Sequence, residues 1–225
     1  MRYALFLFVL LIFLALLGTA VAYPSAVVVH GSLSEQNVPV VQSYPAIRAW
    51  TVVRDRVTAG ALISLIRRYN RRMKIPEMMQ VVESVLTAAL VHDLDPLLIA
   101  SVIAAESSFY PRALSHCGAE GLMQLTKPVQ PWLGVTDPYD IKQNIAGGCR
   151  YLDNLKQRFP SRALVLAAYN AGPTRVARLG RVPEIPETLR YISHVNTVHN
   201  QLVREVRDRS SAKPIEDPSD PFVSA

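Results

Sequence analysis

A single carboxylate, Glu106, stands where an apolar segment of the sequence gives way to a polar one. Burying an ionised carboxylate costs several kcal/mol unless the group is paired, so a carboxyl in such a place tends to hold its proton. The negative end of a helix dipole acts in the same direction. Glu106 is therefore predicted to be an acid that can donate a proton near neutral pH, as general acid catalysis requires. An ordinary helix end is the alternative.

The segment after Glu106 is predicted to be a loop because it contains two glycines, Gly118 and Gly121, among polar residues. Glycine permits a positive φ angle or a close approach of the backbone to a ligand. Both glycines are therefore predicted to serve backbone geometry. Met123, which follows them, is predicted to belong to the core.

A helix over residues 96–107 is predicted to carry Glu106 near its end. Asp95 is predicted to cap its amino terminus, and Pro96 is tolerated at the first helical position. The apolar residues of this helix are Leu97, Leu98, Ile99, Ala100, Val102, Ile103, Ala104 and Ala105. Because they cover nearly every side, the helix is predicted to be buried all round, and Glu106 emerges from the centre of the domain.

Apolar residues at helical spacing predict the other core elements. The predicted helices cover residues 58–73, 76–92 and 141–159, then one that begins near Ser161 and ends at Gly172, and a last one that begins at Pro186. Prolines and a glycine between residues 128 and 138 predict loops or a small hairpin. The predicted fold class is mainly α, with an irregular or small β-hairpin region after the helix that carries Glu106.

The two ends of the chain are predicted to lie outside this helical domain, which is assigned to residues 58–205. Residues 1–22 have the basic start, apolar run and A-x-A ending of a secretory signal peptide, which predicts export and cleavage after Ala22. An uncleaved membrane anchor is the alternative. Residues 23–57 lack clear periodicity and are predicted to be a linker or a loosely packed arm. The polar residues 206–225 are predicted to be a disordered tail.

The chain has two cysteines, Cys117 and Cys149. In an oxidising compartment an even number of cysteines invites a disulfide, so this pair is expected to form one, although the sequence gives no distance between the sulfurs. Neither the cysteines nor the five scattered histidines have metal-ligand spacing. No metal and no other cofactor is predicted.

The formal net charge is +6, and basic residues are concentrated before residue 75. Arg67, Arg68, Arg71 and Arg72 are predicted to share one face of a helix. An exported protein rarely meets nucleic acid, so these arginines are predicted to contact an anionic cell wall or membrane surface. The alternative, of equal weight, is that these arginines form a solvated helix face with no binding partner.

Four short motifs, taken in order, resemble the catalytic domain of the soluble lytic transglycosylases, which share the lysozyme-like fold with goose-type lysozyme. They are E-S-S-F at residues 106–109, G-A-E-G-L-M-Q-L at 118–125, A-Y-N-A-G-P at 168–173 and E-T-L-R-Y at 187–191. The likeness covers residues 82–203. The order of the motifs is more specific than any one of them.

The resemblance implies cleavage of the β-1,4 bond between N-acetylmuramic acid and N-acetylglucosamine in peptidoglycan strands. Glu106 would protonate the leaving oxygen and then, as a carboxylate, take a proton from the 6-hydroxyl of the muramyl residue, which closes a 1,6-anhydro ring. The substrate's acetamido group would stabilise the positive charge, so the absence of an obvious second acid beside Glu106 in the sequence fits. The implied enzyme is a periplasmic monomer.

The resemblance also implies a set of sugar-binding residues. Ser115 and Gln124 would line the groove or orient the acid, with a turn-stabilising role as the alternative. Tyr169 would form a hydrogen bond near the acetamido group or the acid, and Asn170 fits groove binding or a helix end. Glu187 is a site residue by likeness, or an acid that merely favours the first turn of a helix.

One residue sets a limit on the likeness. Thr126 stands where the family often has a methionine that touches sugar, so the groove contacts differ there. Tyr191 is predicted to be core rather than site. Two other functions stay open: a hydrolase of the lysozyme or chitosanase kind on the same fold, and a wall-binding or assembly factor for a secretion apparatus.

Overall fold

The computed structural model describes residues 45–211, with side chains from residue 56 onward. The chain divides into two compact units, Met1–Arg48 and Ala49–Ala225. The first unit is described only where the first helix begins. The predicted signal peptide at residues 1–22, the arm up to residue 44 and the tail after residue 211 lie outside the described residues.

The first helix, α1, covers Pro45–Tyr69 and begins thirteen residues before the predicted start at residue 58. This corrects the predicted loose arm for residues 45–57. Pro45 fits a first helical position, and no glycine or proline interrupts the chain before Gly60. The helix ends at Tyr69, so Arg71 and Arg72 lie in the following turn and not on a helical face.

Helices α2 (Ile75–His92) and α3 (Pro96–Ser107) match the predicted elements. Helix α3 is the centre of the core, with Ile99, Val102 and Ile103 fully buried. It packs mainly against the last helix, α7, which covers Pro186–Ser211. The predicted helix that is apolar on nearly every side is therefore confirmed.

The amino terminus of α3 is held by a half-buried carboxylate, Asp95, and its buried partner His199. Asp95 caps the helix as predicted, because its Oδ1 accepts the Leu97 N–H at 2.9 Å. Its Oδ2 lies 2.6 Å from His199 Nε2, and Arg162 Nη1 lies 3.2 Å from His199 Nδ1. Arginine can only donate, so Nδ1 accepts and Nε2 donates to the carboxylate. Burial opposes ionisation of Asp95, but the His199 and Leu97 hydrogen bonds keep its pKa below the ordinary value.

The only sheet among the described residues is a two-stranded antiparallel one, β1 (Ala119–Glu120) and β2 (Leu125–Thr126). Ala119 pairs with Thr126, and Glu120 pairs with Leu125. The hairpin therefore lies within the loop after Glu106, whereas residues 128–138, where the hairpin was also expected, form turns. Gly121, with φ +78°, permits the tight connection.

Three helices complete the domain before α7: α4 (Ile141–Arg158), α5 (Arg162–Ala171) and α6 (Pro173–Leu179). Ser161 caps α5 as predicted, accepting the Leu164 N–H. The short α6 was not predicted. Helix α7 extends to Ser211, which corrects the predicted tail for residues 206–211, and the Arg209–Glu205 pair at 2.7 Å supports this last part. The mainly α fold class is confirmed.

The expected disulfide between Cys117 and Cys149 is wrong, because both cysteines are free thiols. Cys149 is fully buried in α4, within the core, whereas Cys117 is exposed on the loop before β1. Burial raises the pKa of the Cys149 thiol well above its ordinary value, which keeps the sulfur protonated and unreactive. Within residues 45–211, no helix combines the length and the apolar character needed to cross a membrane.

Candidate active site

Glu106 occupies the last turn of α3, where the helix is stopped abruptly. Ser108 and Phe109 both have positive φ angles, +51° and +60°. The Phe109 side chain is buried, and its carbonyl accepts a 2.9 Å hydrogen bond from Nδ2 of Asn70, which follows α1. These contacts hold an unfavourable backbone conformation in place, and they fix Glu106 at the point where α3 leaves the core.

A cleft of about 360 Å³ opens at Glu106. Five of the six predicted site residues line it together, although they come from four separate segments of the chain. The lining residues are Ala105, Glu106, Ser115, Gln124, Asn170, Glu187, Arg190, Tyr191 and His194. The sixth, Tyr169, is not part of the cleft lining, although burial and then the charge of Glu106 raise the Tyr169 pKa well above its ordinary value.

The electrostatics of Glu106 favour the protonated acid. Burial raises the pKa of this carboxyl to about 7, the Tyr191 hydroxyl acts in the opposite direction, and the negative charge of Glu187 raises the pKa further. The position at the carboxyl end of α3 also disfavours a negative charge. Glu106 can therefore exchange a proton near neutral pH, as the sequence predicted for an acid emerging from the core.

The sequence shows no obvious second acid beside Glu106, but the fold brings Glu187 to the same cleft. It lies in the first turn of α7, it is exposed, and it faces the same cleft as Glu106. Both carboxyls line this cleft, and the negative charge of Glu187 adds to the burial that raises the Glu106 pKa. The second acid was far away in sequence, and only the packing of α7 on α3 brings it to the site.

Tyr191 is buried, as predicted for a core residue, but it also reaches the cleft. Its hydroxyl lies beside the Glu106 carboxyl, and burial together with the Glu106 charge raises the Tyr191 pKa well above its ordinary value. This hydroxyl has no hydrogen bond of regular geometry among the described residues. It is therefore a neutral donor, next to the acid, that a substrate oxygen could use.

Ser115 and Gln124 hold the shape of the loop that forms one wall of the cleft. Ser115 Oγ accepts the Ala119 N–H at 3.0 Å, which is the turn-stabilising contact. Gln124 has a φ angle of +49°, and its Nε2 donates to the carbonyls of Ala113 at 3.2 Å and Gly121 at 2.9 Å. Because the amide nitrogen is engaged, the Oε1 atom remains as the acceptor that Gln124 can offer to a ligand.

Tyr169 and Asn170 join α5 to the neighbouring elements. The Tyr169 hydroxyl donates to the Met123 carbonyl at 2.8 Å. Its ring lies 5.2 Å from that of Tyr151, centroid to centroid. Asn170 Oδ1 accepts a 2.7 Å hydrogen bond from Thr188 Oγ1, so its Nδ2 is the group that can donate into the cleft.

Arg190 and His194 are cleft residues that the sequence did not suggest. Together with Glu187 and Tyr191 they follow a spacing of three or four residues along α7, which places them on one helical face. That spacing was visible in the sequence. The spacing identifies Arg190 and His194 as cleft residues only in combination with the position of Glu187, which faces the cleft.

Three comparisons describe what the chain is similar to. Residues 83–188 match the family model of the transglycosylase SLT domain. The chain is 40% identical to membrane-bound lytic murein transglycosylase F of Desulfosudis oleivorans, over 48% of this chain and 25% of that protein. It is 42% identical to the transglycosylase of Enterobacteria phage PRD1, over 40% of this chain and 34% of that protein.

A solved structure agrees with these relatives. Lytic transglycosylase Slt from Pseudomonas aeruginosa, studied as an inactive mutant with glutamine in place of a glutamate, superposes with a TM-score of 0.50 and 25% identity. The match covers 56% of this chain and 24% of that one. The match thus spans only about a quarter to a third of the length of these three proteins. Residues 83–188 therefore form an SLT-type domain with the lysozyme-like fold.

Proposed function

We propose that this chain is an exported peptidoglycan lytic transglycosylase that cleaves the bond between N-acetylmuramic acid and N-acetylglucosamine and leaves a 1,6-anhydro-muramyl end. One observation carries the proposal. The carboxyl of Glu106 has a pKa raised to about 7 and opens into a cleft large enough to admit part of a glycan strand. Such a group can serve as acid and as base in one reaction cycle.

In the first step, Glu106 gives its proton to the glycosidic oxygen. The bond between that oxygen and C1 of the muramyl residue breaks, and its electron pair leaves with the oxygen. The acetamido oxygen of the same residue stabilises the positive charge at C1, so no carboxylate of the protein has to bond to the sugar. The Glu106 carboxylate that remains lies close to the negative charge of Glu187, which favours taking up a proton again.

In the second step, the Glu106 carboxylate takes the proton of the 6-hydroxyl group. The freed oxygen bonds to C1 and closes the anhydro ring, which restores the protonated acid without consuming water. Tyr191, whose hydroxyl lies beside the acid, is assigned to support this step by donating to the acetamido group or to the 6-oxygen. Gln124 Oε1 and Asn170 Nδ2 are the groups that we assign to sugar binding.

The test is mass spectrometry of sacculi digested with the purified mature protein. Anhydro-muramyl ends are the expected products. Free reducing ends would instead identify a hydrolase of the lysozyme kind, for which Glu187 would be the second carboxylate. Intact strands, with the protein bound to them, would contradict both enzyme functions and favour a wall-binding factor.

We also propose that the arginines near the end of α1 attach the protein to an anionic wall or membrane surface. Arg67, Arg68, Arg71 and Arg72 are all exposed. Arg68 is paired with Glu205 at 3.2 Å, whereas the other three form no ion pair with the described residues. Three unpaired charges of one sign fit a solvated anionic partner.

Replacing Arg67, Arg71 and Arg72 with glutamine is expected to weaken binding to sacculi at least about tenfold at low salt, because each basic residue near an anionic surface contributes about 1 kcal/mol. Co-sedimentation at low and high salt measures this effect, which should fade as salt screens the charges. A control matched in charge replaces Arg175, Arg178 and Arg204, three exposed arginines of α6 and α7. Equal binding by the triple variant and the wild type would leave these arginines as a merely solvated face.

A further inference from the structure

Helix α2 carries a stripe of apolar side chains that face solvent. Ile75, Met79 and Leu90 are 61%, 49% and 86% exposed, and Leu86, which lies between them, is only partly buried. Single exposed apolar residues are ordinary on a protein surface, but these four lie on one side of one helix. At about 100° per residue their directions fall within about 60°, and the helix rises roughly 22 Å from Ile75 to Leu90.

The inner side of α2 already has its partners, so the stripe is a second apolar surface. Val81, Val85 and Ala88 are buried, and the helix packs against α4 and α3. None of the residues that line the cleft at Glu106 belongs to α2. Within the described part of the chain, the exposed stripe therefore serves neither the core nor the cleft.

The spacing of the stripe is symmetric about its centre. Its four residues are separated by four, seven and four positions, so the intervals are the same when they are counted from either end. In an antiparallel pair of helices related by a two-fold axis, residues at opposite distances from the centre face each other. Ile75 then meets the partner's Leu90, Met79 meets the partner's Leu86, and each contact is made twice. A second copy of α2 therefore matches the stripe along its whole length.

The charges beside the stripe differ between its two ends. Arg72 and Lys74 precede α2, are exposed and form no ion pair with the described residues. Asp93 follows α2 and is also exposed, with one surface ion pair to Lys156 at 3.3 Å. Antiparallel pairing places the basic end of one helix beside the end of the other that carries Asp93, which is favourable. An anionic membrane surface would instead meet Asp93 and Glu83, an exposed acid at the middle of the stripe, and would repel both.

We propose that α2 is a self-association surface, through which two copies of this chain form a symmetric dimer by antiparallel pairing of the stripe. This inference goes beyond the proposed function and departs from the monomer that the family resemblance implied. A strip of one helix face, roughly 22 Å by 10 Å, is smaller than the roughly 800 Å² that each partner buries in a standard stable interface. The dimer is therefore in equilibrium with the monomer and forms as the protein concentration rises. Each copy keeps its cleft free of the paired helices.

Sedimentation equilibrium over about a hundredfold range of protein concentration measures the association. The average mass of the wild type is expected to rise towards that of two chains. Leu90→Glu is expected to raise the Kd of the dimer at least about tenfold, because a carboxylate would be buried against the partner's Ile75. Val203→Glu, which places the same charge at an exposed apolar residue of α7, is the matched control and should keep the wild-type Kd. Circular dichroism shows that both variants are folded.

A cross-link tests the antiparallel arrangement. Glu83 borders the stripe next to its centre, so the two-fold axis brings the two copies of this residue close together. In a Cys117→Ser background, which leaves only the buried Cys149, Glu83→Cys is expected to be trapped as a disulfide-linked dimer under mild oxidation. Gln157→Cys, at an exposed position of α4, is the control and should stay mostly monomeric.

Each contrary outcome has a defined meaning. A wild type that stays monomeric at every concentration overturns the inference, and so does a dimer that Leu90→Glu and Val203→Glu weaken equally. A dimer that Glu83→Cys does not cross-link overturns the antiparallel pairing. A monomer that binds anionic lipid vesicles, and loses this binding in Leu90→Glu, would assign the stripe to a membrane surface instead. These measurements use no glycan, so their failure leaves the proposed function standing.

Discussion

Replacing Glu106 with glutamine is expected to lower kcat for strand cleavage by at least about a thousandfold. One carboxyl is assigned both proton transfers, and each transfer by a positioned group contributes about 10²–10⁴ in rate. Glutamine keeps the shape of the side chain but can neither give nor take the proton. The measurement is release of anhydro-muropeptides from sacculi, with circular dichroism to show that the variant is folded. A folded variant with wild-type turnover would remove Glu106 from the mechanism.

The pH dependence of the wild type follows from the same carboxyl. Cleavage begins from the protonated acid, whose pKa is about 7 because of burial and the nearby Glu187 charge. The value of kcat/KM is therefore expected to fall as pH rises above about 7. Glu187→Gln removes the charge that raises this pKa, so the falling limb is expected to move to lower pH. A limb that stays in place would show that Glu187 does not act on Glu106.

The free energy of unfolding should also depend on pH through the Glu106 carboxyl, in a direction that its raised pKa determines. The Glu106 pKa is about 7 in the folded protein against an ordinary value of 4.5, so between these values the folded state binds more protons than the unfolded state. The free energy of unfolding is then expected to decrease by up to about 3 kcal/mol as pH rises from about 4.5 to about 7. Above about pH 7, Glu106 should cause no further change. Urea unfolding of wild type and Glu106→Gln across this range checks it, since the decrease should be absent from the variant.

Local rules predicted the element that carries the acid because its signals lie close together in the sequence. Asp95 and Pro96 mark the start of α3, and eight apolar residues require burial on every side. The end of the helix then places Glu106 at the edge of the core. The same rules missed the early start of α1 at Pro45 and the short α6, because neither is marked by a clear apolar period in the sequence.

The partners of Glu106 could not be predicted by local rules, because the packing of distant helices brings them to the site. Glu187 and Tyr191 reach Glu106 only because α7 lies against α3. The expected disulfide failed for a similar reason. An even number of cysteines says nothing about burial, and one thiol lies in the core while the other is exposed. The family motifs supplied Glu187 where periodicity alone would have left it a helix-end acid.

Asn144 anchors the loop of the active site through three hydrogen bonds, and the sequence did not single it out. It is 1% exposed, in α4. Its Nδ2 donates to the carbonyls of Glu120 at 3.1 Å and Pro138 at 2.8 Å, and its Oδ1 accepts the Met123 N–H at 2.7 Å. Gly121 lies against it so closely that a side chain there would overlap the Asn144 amide.

Asn144→Ala is expected to lower the free energy of unfolding by about 3 kcal/mol or more, because two carbonyls and one N–H lose their partner in the interior. Activity should fall with it, since Met123 and its neighbours would no longer hold the Tyr169 hydroxyl and Gln124 in place. Urea unfolding measures the first effect and strand cleavage the second. Gln157→Ala, an exposed change on the same helix, should stay within about 0.5 kcal/mol of the wild type.

Asn144→Asp separates the lost donor from lost packing. Aspartate keeps the size of the side chain and the acceptor for Met123, but it turns an oxygen towards the carbonyls of Glu120 and Pro138. Only the protonated acid can still donate to one of them, so the pKa of the introduced carboxyl is expected to be raised in the folded state. Its destabilisation should therefore grow as pH rises through the ordinary carboxyl range. A loss of stability that is small and equal at pH 4 and pH 8 would show that the loop is held by the hairpin and by core contacts, and that the Asn144 amide donor is dispensable.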